Sequence, residues 1–136
     1  MEIEIPIEPV AQGRPRFRRI GGGVATYDPP KSKEFKKYVR ALAESNRIYF
    51  AEQHVSILVE LIFYLPMLKS FSNKKRLAAI EGNLRPSKKP DIDNYIKGTL
   101  DALNGIYWHD DGQIVDIHAS KYYSENPRIE LKITEV

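Results

Sequence analysis

The sequence predicts an α+β fold, a mixed β-sheet of about four strands with two main helices packed on it, as one domain over residues 1–136. Three observations carry this. Apolar residues alternate with polar ones at both ends of the chain and once in the middle, which is the period of a strand. Two other stretches carry apolar residues at three- and four-residue spacing, which is the period of a helix. Gly, Pro and Asp-Gly clusters separate them, in the order β-α-β-(α)-α-β-β.

Ile3, Ile5 and Ile7 alternate with Glu2, Glu4 and Pro6, giving a half-buried first strand. The Gly- and Pro-rich run "AQGRPRFRRIGGGVATYDPP" reads as a loop or irregular hairpin. Asp28-Pro29 offers a cap and a first helical position, and Phe35, Tyr38, Val39 and Leu42 then define a helix burying one face. Val55, Ile57, Val59, Leu61, Phe63 and Leu65 alternate while Leu58 and Ile62 occupy the other side. A strand apolar on both faces belongs in the sheet interior, and Pro66 ends it. A short helix follows in "SFSNKKRLAAIEGN", with Ser70 or Ser72 as cap and Gly82 as stop. Ile96, Thr99, Leu100 and Leu103 mark the second main helix, closed by Asn104-Gly105. Val115, Ile117 and Ala119, then Ile129, Leu131 and Ile133, predict two strands joined by "SENP" as an antiparallel pair.

Composition excludes several classes. With 42% hydrophobic and 29% charged residues, the chain is predicted to fold rather than remain disordered. No apolar run approaches a membrane span, and the opening "MEIEIPIEP" is unlike a secretion signal. With no cysteine there is neither a disulfide framework nor a thiolate metal site, so a cytoplasmic protein is expected.

The net charge of +3 is segregated. Residues 14–40 hold nine Lys and Arg against two acids, residues 69–97 hold eight against three, and the chain from Gly98 holds three against seven. This suggests a surface for a polyanion beside a separate carboxylate cluster, or else a solvated helix face with charged loops. Residues 88–116, "KKPDIDNYIKGTLDALNGIYWHDDGQIVD", contain six aspartates and no glutamate. Asp91 and Asp93 would lie about 200° apart on an ideal helix, but residues two apart in an extended segment project from one side. A helix beginning at Asp93 or Asn94 would leave Asp91 extended and let the two carboxylates converge. Lys97 lies one turn past Asp93, and Asp101 continues the row as a surface acid. Paired anions need a compensating cation, and Mg²⁺ suits a few carboxylates completed by water and phosphate oxygens. The structural alternative makes each aspartate a cap or turn residue and Lys97 a simple partner of Asp93.

The ungapped pattern D-x-D-N-x-x-K, D-A-L, an aromatic, D-D and Q-[IV]-V-D in "KKPDIDNYIKGTLDALNGIYWHDDGQIVDI" resembles the core of the RusA family of Holliday junction resolvases of bacteria and their phages. Weaker likeness runs through "GRPRF" and "YDPPKSKEFKKYV". The resemblance implies a homodimeric endodeoxyribonuclease that cuts four-way junctions in DNA recombination and repair, using Mg²⁺ with Mn²⁺ as a substitute. Its acidic metal ligands fall on Asp91, Asp93 and Asp111, and its essential lysine on Lys97. Asp110 and Asp116 match acidic positions of lower rank. Strand parity does not choose between Asp110 and Asp111; the resemblance does. Arg14, Arg16, Lys33, Lys36, Lys37, Lys88 and Lys89 are the candidate phosphate contacts. Trp108 and Tyr107 are expected in the core behind the acidic turn, although an aromatic near a junction could also stack on a base. His109 is expected as a turn residue, and His54 and His118 as surface or sheet-face residues. Two other functions fit the residues: a metal-dependent nuclease for flaps or other branched DNA, and a DNA-binding module without catalysis.

Overall fold

A computed structural model describes residues 1–136. Its main sheet is four-stranded, in the order β1 (Glu2–Ile5), β6 (Arg128–Glu135), β4 (Ile57–Pro66), β5 (Ile114–Ser124). β4 runs parallel to β5 and antiparallel to β6, so the sheet is mixed as expected and β4 is interior. The two main helices are α1 (Pro30–Ser45) and α3 (Ile92–Leu103), and a shorter α2 (Asn73–Ile80) lies between β4 and α3. No helix is long and apolar enough to cross a membrane.

α1 and α3 pack on each other, and Tyr95 of α3 meets Phe63 of β4 with ring centroids 5.4 Å apart. Val59, Leu61 and Phe63 are buried beneath these helices, each contributing about 1.5–3 kcal/mol. Trp108 and Tyr107 are completely buried in the same core, as the sequence suggested.

Three expectations need correcting. β5 and β6 are antiparallel but not paired, because β4 lies between them. Alternation tells which face of a strand is buried and says nothing of its neighbour; β4, apolar on both faces, takes the place flanked on both edges. The connection across its end is short and is held by Arg128, which donates to Ser124 Oγ at 3.2 Å and to the Asn126 carbonyl at 2.9 Å. Secondly, the Gly-rich run is a regular hairpin, β2 (Arg16–Ile20) with β3 (Gly23–Tyr27), forming a separate two-stranded sheet. Its tight turn uses Gly21 at φ 56°, a conformation other residues rarely adopt.

The third correction is at α1. Pro29, not Asp28, is the N-cap, because Pro30 forces its predecessor into extended geometry (φ −55°, ψ 148°). The buried stripe is Ser32, Phe35, Val39 and Ala43, while Tyr38 remains exposed. Ser72 caps α2 by accepting from the Lys75 amide, and Gly82 and Gly105 follow α2 and α3 at φ 81°.

Candidate nuclease site

The approach to α3 is fixed from the sheet. Lys121 of β5 donates to the carbonyls of Lys88 and Pro90 at 3.2 and 3.1 Å, and Arg85 Nε donates to the Lys121 carbonyl at 2.8 Å. The basic loop before α3 is therefore tied to β5. The helix begins at Ile92, earlier than expected, so only Asp91 is extended (φ −70°, ψ 149°) and Asp93 already belongs to the first turn. Asp91 is the N-cap by position, yet its side chain makes no cap hydrogen bond. A cap role alone would use that carboxylate on the backbone amides.

Asp93, Lys97 and Asp101 are exposed and four residues apart along one face of α3. Lys97 forms no ion pair: Asp93 is not within 4 Å of its ammonium. The helix face is closed on the inner side by residues 10–12, whose backbone passes Gly98 so closely that a Cβ there would sit 3.4 Å from the Val10 carbonyl.

The Asp110-Asp111-Gly112 turn separates its two carboxylates by role. Asp110 accepts from the Gly112 amide at 3.1 Å, and Gln113 Oε1 accepts from the Asp110 and His109 amides at 2.9 and 2.7 Å. The Gln113 side chain also donates to the carbonyls of Glu52 and Val55, locking the turn to the start of β4. Asp110 thus caps the short 3-10 turn Asp111–Gln113. Asp111 instead accepts from the buried Trp108 indole at 2.7 Å through Oδ1. Burial raises the Asp111 pKa, the indole hydrogen bond pulls it back, and the charges of Asp101 and Asp110 push it up again.

Asp101 is therefore not an isolated surface acid. It acts electrostatically on Asp111, and its Oδ2 lies 3.6 Å from Lys36 Nζ. The same ammonium contacts Asp28 Oδ2 at 2.9 Å. The Asp28 pKa is lowered chiefly by this hydrogen bond, with burial opposing and Gln12 and the charges of Lys36 and Lys97 adding to the shift. Lys36, a candidate phosphate contact, lies between two carboxylates. Sequence reading missed Asp28 and Asp101 as members of this network; the Asp93, Lys97, Asp101 spacing was the available signal.

Of the other candidate phosphate contacts, Arg14, Arg16, Lys33, Lys37, Lys88 and Lys89 are all exposed and form no ion pair. Arg40 is used internally, donating to the carbonyls of Ala102 and Asn104 at the end of α3. His109 is exposed in the turn, and exposed His118 sits 3.9 Å from Glu60. No three His, Cys, Asp or Glu side chains are gathered as a ready-made metal cage.

Among known proteins, the chain is 49% identical over 133 residues to the uncharacterized protein YqaN of Bacillus subtilis (strain 168), covering 95% of this chain and 92% of that one. It is 26% identical over 136 residues to the crossover junction endodeoxyribonuclease rusA of Lactococcus phage r1t, covering 99% and 96%. The family model for endodeoxyribonuclease RusA matches residues 6–134, nearly all of the described residues, and the chain belongs to the RusA family.

Proposed function

We propose that the protein is a Mg²⁺-dependent, structure-selective endodeoxyribonuclease that resolves four-way DNA junctions by paired symmetric cuts. The observation that carries this reading is the charged face of α3. An uncommitted Asp91 carboxylate stands at its start, Asp93 and an unpaired Lys97 follow, and Asp111 is held by Trp108 within electrostatic reach of Asp101. Family membership and the name of the phage r1t relative, a crossover junction endodeoxyribonuclease, support the junction as substrate.

The donor set fits Mg²⁺ in kind. All its members are carboxylates, Asp91 has oxygens to spare, and Asp111 is a half-buried acid whose pKa is raised by burial first and by its acidic neighbours second. Mg²⁺ keeps several waters and takes phosphate oxygens beside a few protein carboxylates, so a closed protein cage is not required. Asp91, Asp93 and Asp111 would hold the ion, with Mn²⁺ as a substitute. Bound there, it supplies charge relief at the phosphate and makes water more acidic.

Hydrolysis joins a water oxygen to phosphorus and breaks the bond to the 3′ oxygen, which must receive a proton. Lys97 is the cation on this face not neutralised by a partner, and it stabilises the growing negative charge or protonates the leaving oxygen. Lys36, by contrast, holds Asp101 and Asp28 in place. Arg14, Arg16, Lys33, Lys37, Lys88 and Lys89 provide exposed charge for the phosphates of the DNA arms. Two symmetric cuts need two sites related by a twofold axis, which a homodimer supplies.

The test is cleavage of a synthetic four-way junction, a flap and a linear duplex side by side, with and without Mg²⁺. Selective, paired, Mg²⁺-dependent nicking of the junction is expected. Preference for the flap would move the substrate to another branched DNA, and binding without cutting would leave a DNA-binding module.

A further inference from the structure

The β2–β3 hairpin takes no part in the catalysis proposed above, which draws on it only for the phosphate-binding charge of Arg16. Its strands pack chiefly against each other, and every residue of β2 is exposed. A lone two-stranded ribbon is marginal in water. From Gly13 to Tyr27 it carries Arg14, Arg16, Arg18 and Arg19 and no acidic residue. The pairing places Arg16, Arg18, Tyr27 and Ala25 on one face, and Phe17, Arg19, Thr26 and Val24 on the other. Arg18 lies over the Tyr27 ring, 5.8 Å from its centroid, which leaves Phe17 and Val24 bare, at 69% and 67% exposure.

The hairpin is rooted at the site. The Gln12 amide donates to the Asn94 carbonyl at 2.9 Å, one residue from Asp93, and the Gly13 amide donates to Ser32 Oγ at 3.0 Å. Gln12 Nε2 reaches across to Asp28 Oδ1 at 3.1 Å, joining the two feet. Asp28 is in turn held by Lys36. Five-residue strands at about 3.3 Å per residue give an arm of about 15 Å, and a ribbon of this kind fits a DNA major groove.

We infer that the β2–β3 arm reads the branch point of the substrate, its arginines holding phosphates while Phe17 stacks on bases left unstacked where strands exchange. The charge selects a polyanion, the bare aromatic selects an unpaired base, and the rooted feet put both beside the acids of α3. A continuous duplex offers no open base face to Phe17, so the aromatic discriminates branch from duplex while the arginines do not. The inference rests on the junction-nuclease reading.

Binding measured in EDTA separates the two, because no cut is needed. The full chain, Phe17→Ala, Phe17→Leu and Arg18→Ala/Arg19→Ala are titrated with a four-way junction and with a linear duplex of one arm's sequence, after thermal melts verify folding. Phe17→Ala is expected to weaken junction binding by about 5- to 150-fold, the usual effect of removing one base-stacking aromatic, and to leave duplex binding unchanged. Phe17→Leu should recover little of the loss. The arginine double variant should weaken both DNAs and lower the salt slope by about two units. Equal loss of both DNAs in Phe17→Ala, or no loss of either, would overturn the inference; so would dissociation of a dimer in sedimentation, since the hairpin would then be covered by a second copy of the chain. A chain that binds the junction through Phe17 but never cuts it in Mg²⁺ would retire the nuclease reading and leave the arm's role standing.

Discussion

The Trp108 indole Nε1 lies 2.7 Å from Asp111 Oδ1, so a completely buried core residue orients an acid of the candidate site. Trp108→Phe keeps an aromatic in the core and removes the donor. Loss of a group that orients a metal-binding carboxylate typically costs 10- to 100-fold in metal affinity or activity. The Mg²⁺ concentration for half-maximal cleavage should rise by about that factor while junction binding in EDTA is unchanged. A Mg²⁺ titration of initial rates reads this directly, and unchanged dependence would make the indole contact purely structural.

Asp91→Asn, Asp93→Asn and Asp111→Asn each retain size and remove charge. Cleavage should collapse in all three, and junction binding should persist or strengthen as repulsion from phosphate is relieved. Glu125→Gln, in the turn after β5, is the control expected to cut normally. Asp101→Asn does not serve as a control, because Asp101 touches Lys36 and acts on Asp111.

Lys36 and Lys37 are adjacent in sequence and should separate in function. Lys37 is exposed and unpaired, so Lys37→Ala should lower the log–log salt slope of junction binding by about one unit. Lys36 is held by Asp28 and Asp101, so Lys36→Ala should leave the slope near its original value and slow cleavage instead. Filter binding over a salt series checks both, and an equal slope change in the two variants would place both on phosphate.

The Asp28–Lys36 pair also has a pH signature. The folded-state pKa of Asp28 lies below its ordinary value, so its stabilisation is present above about pH 4 and is lost as pH falls through the folded pKa. A partly exposed pair is worth about 0–1 kcal/mol. Asp28→Asn should therefore be slightly less stable at neutral pH and should converge on the parent chain in acid. Urea denaturation at several pH values measures this; a constant difference down to acid pH would remove the charge contribution.

Periodic features were legible in the sequence because burial alone writes them. The interior strand β4 and the apolar stripe of α3 were found that way, while cap chemistry, Ser70 or Ser72 at the start and Gly82 at the stop, marked α2. The partner of a strand is not written in its period, so β5 and β6 were joined when β4 separates them. The segment 11–30 was read only as a loop or irregular hairpin because the exposed strands β2 and β3 have no buried face to alternate against. Asp101 and Asp28 were misread for a different reason: their roles depend on α1 packing against α3, which brings Lys36 between residues 73 positions apart. Strand parity left Asp110 and Asp111 alike and only the resemblance chose Asp111; the hydrogen bonds supply the physical difference, committing one carboxylate to the backbone and the other to Trp108.

Single-turnover cleavage of a four-way junction at saturating Mg²⁺, comparing the parent chain with Lys97→Ala and Lys97→Arg, addresses the catalytic face of α3 most directly. Lys97 is exposed and has no ion pair, so its removal should leave folding and junction binding near normal. The rate with alanine should fall by about two orders of magnitude or more, as loss of a preorganised charge contact does. Arginine should restore part of the rate if the residue supplies field alone, and almost none if it gives a proton to the leaving oxygen. Full activity in Lys97→Ala would contradict a catalytic site on this face of α3.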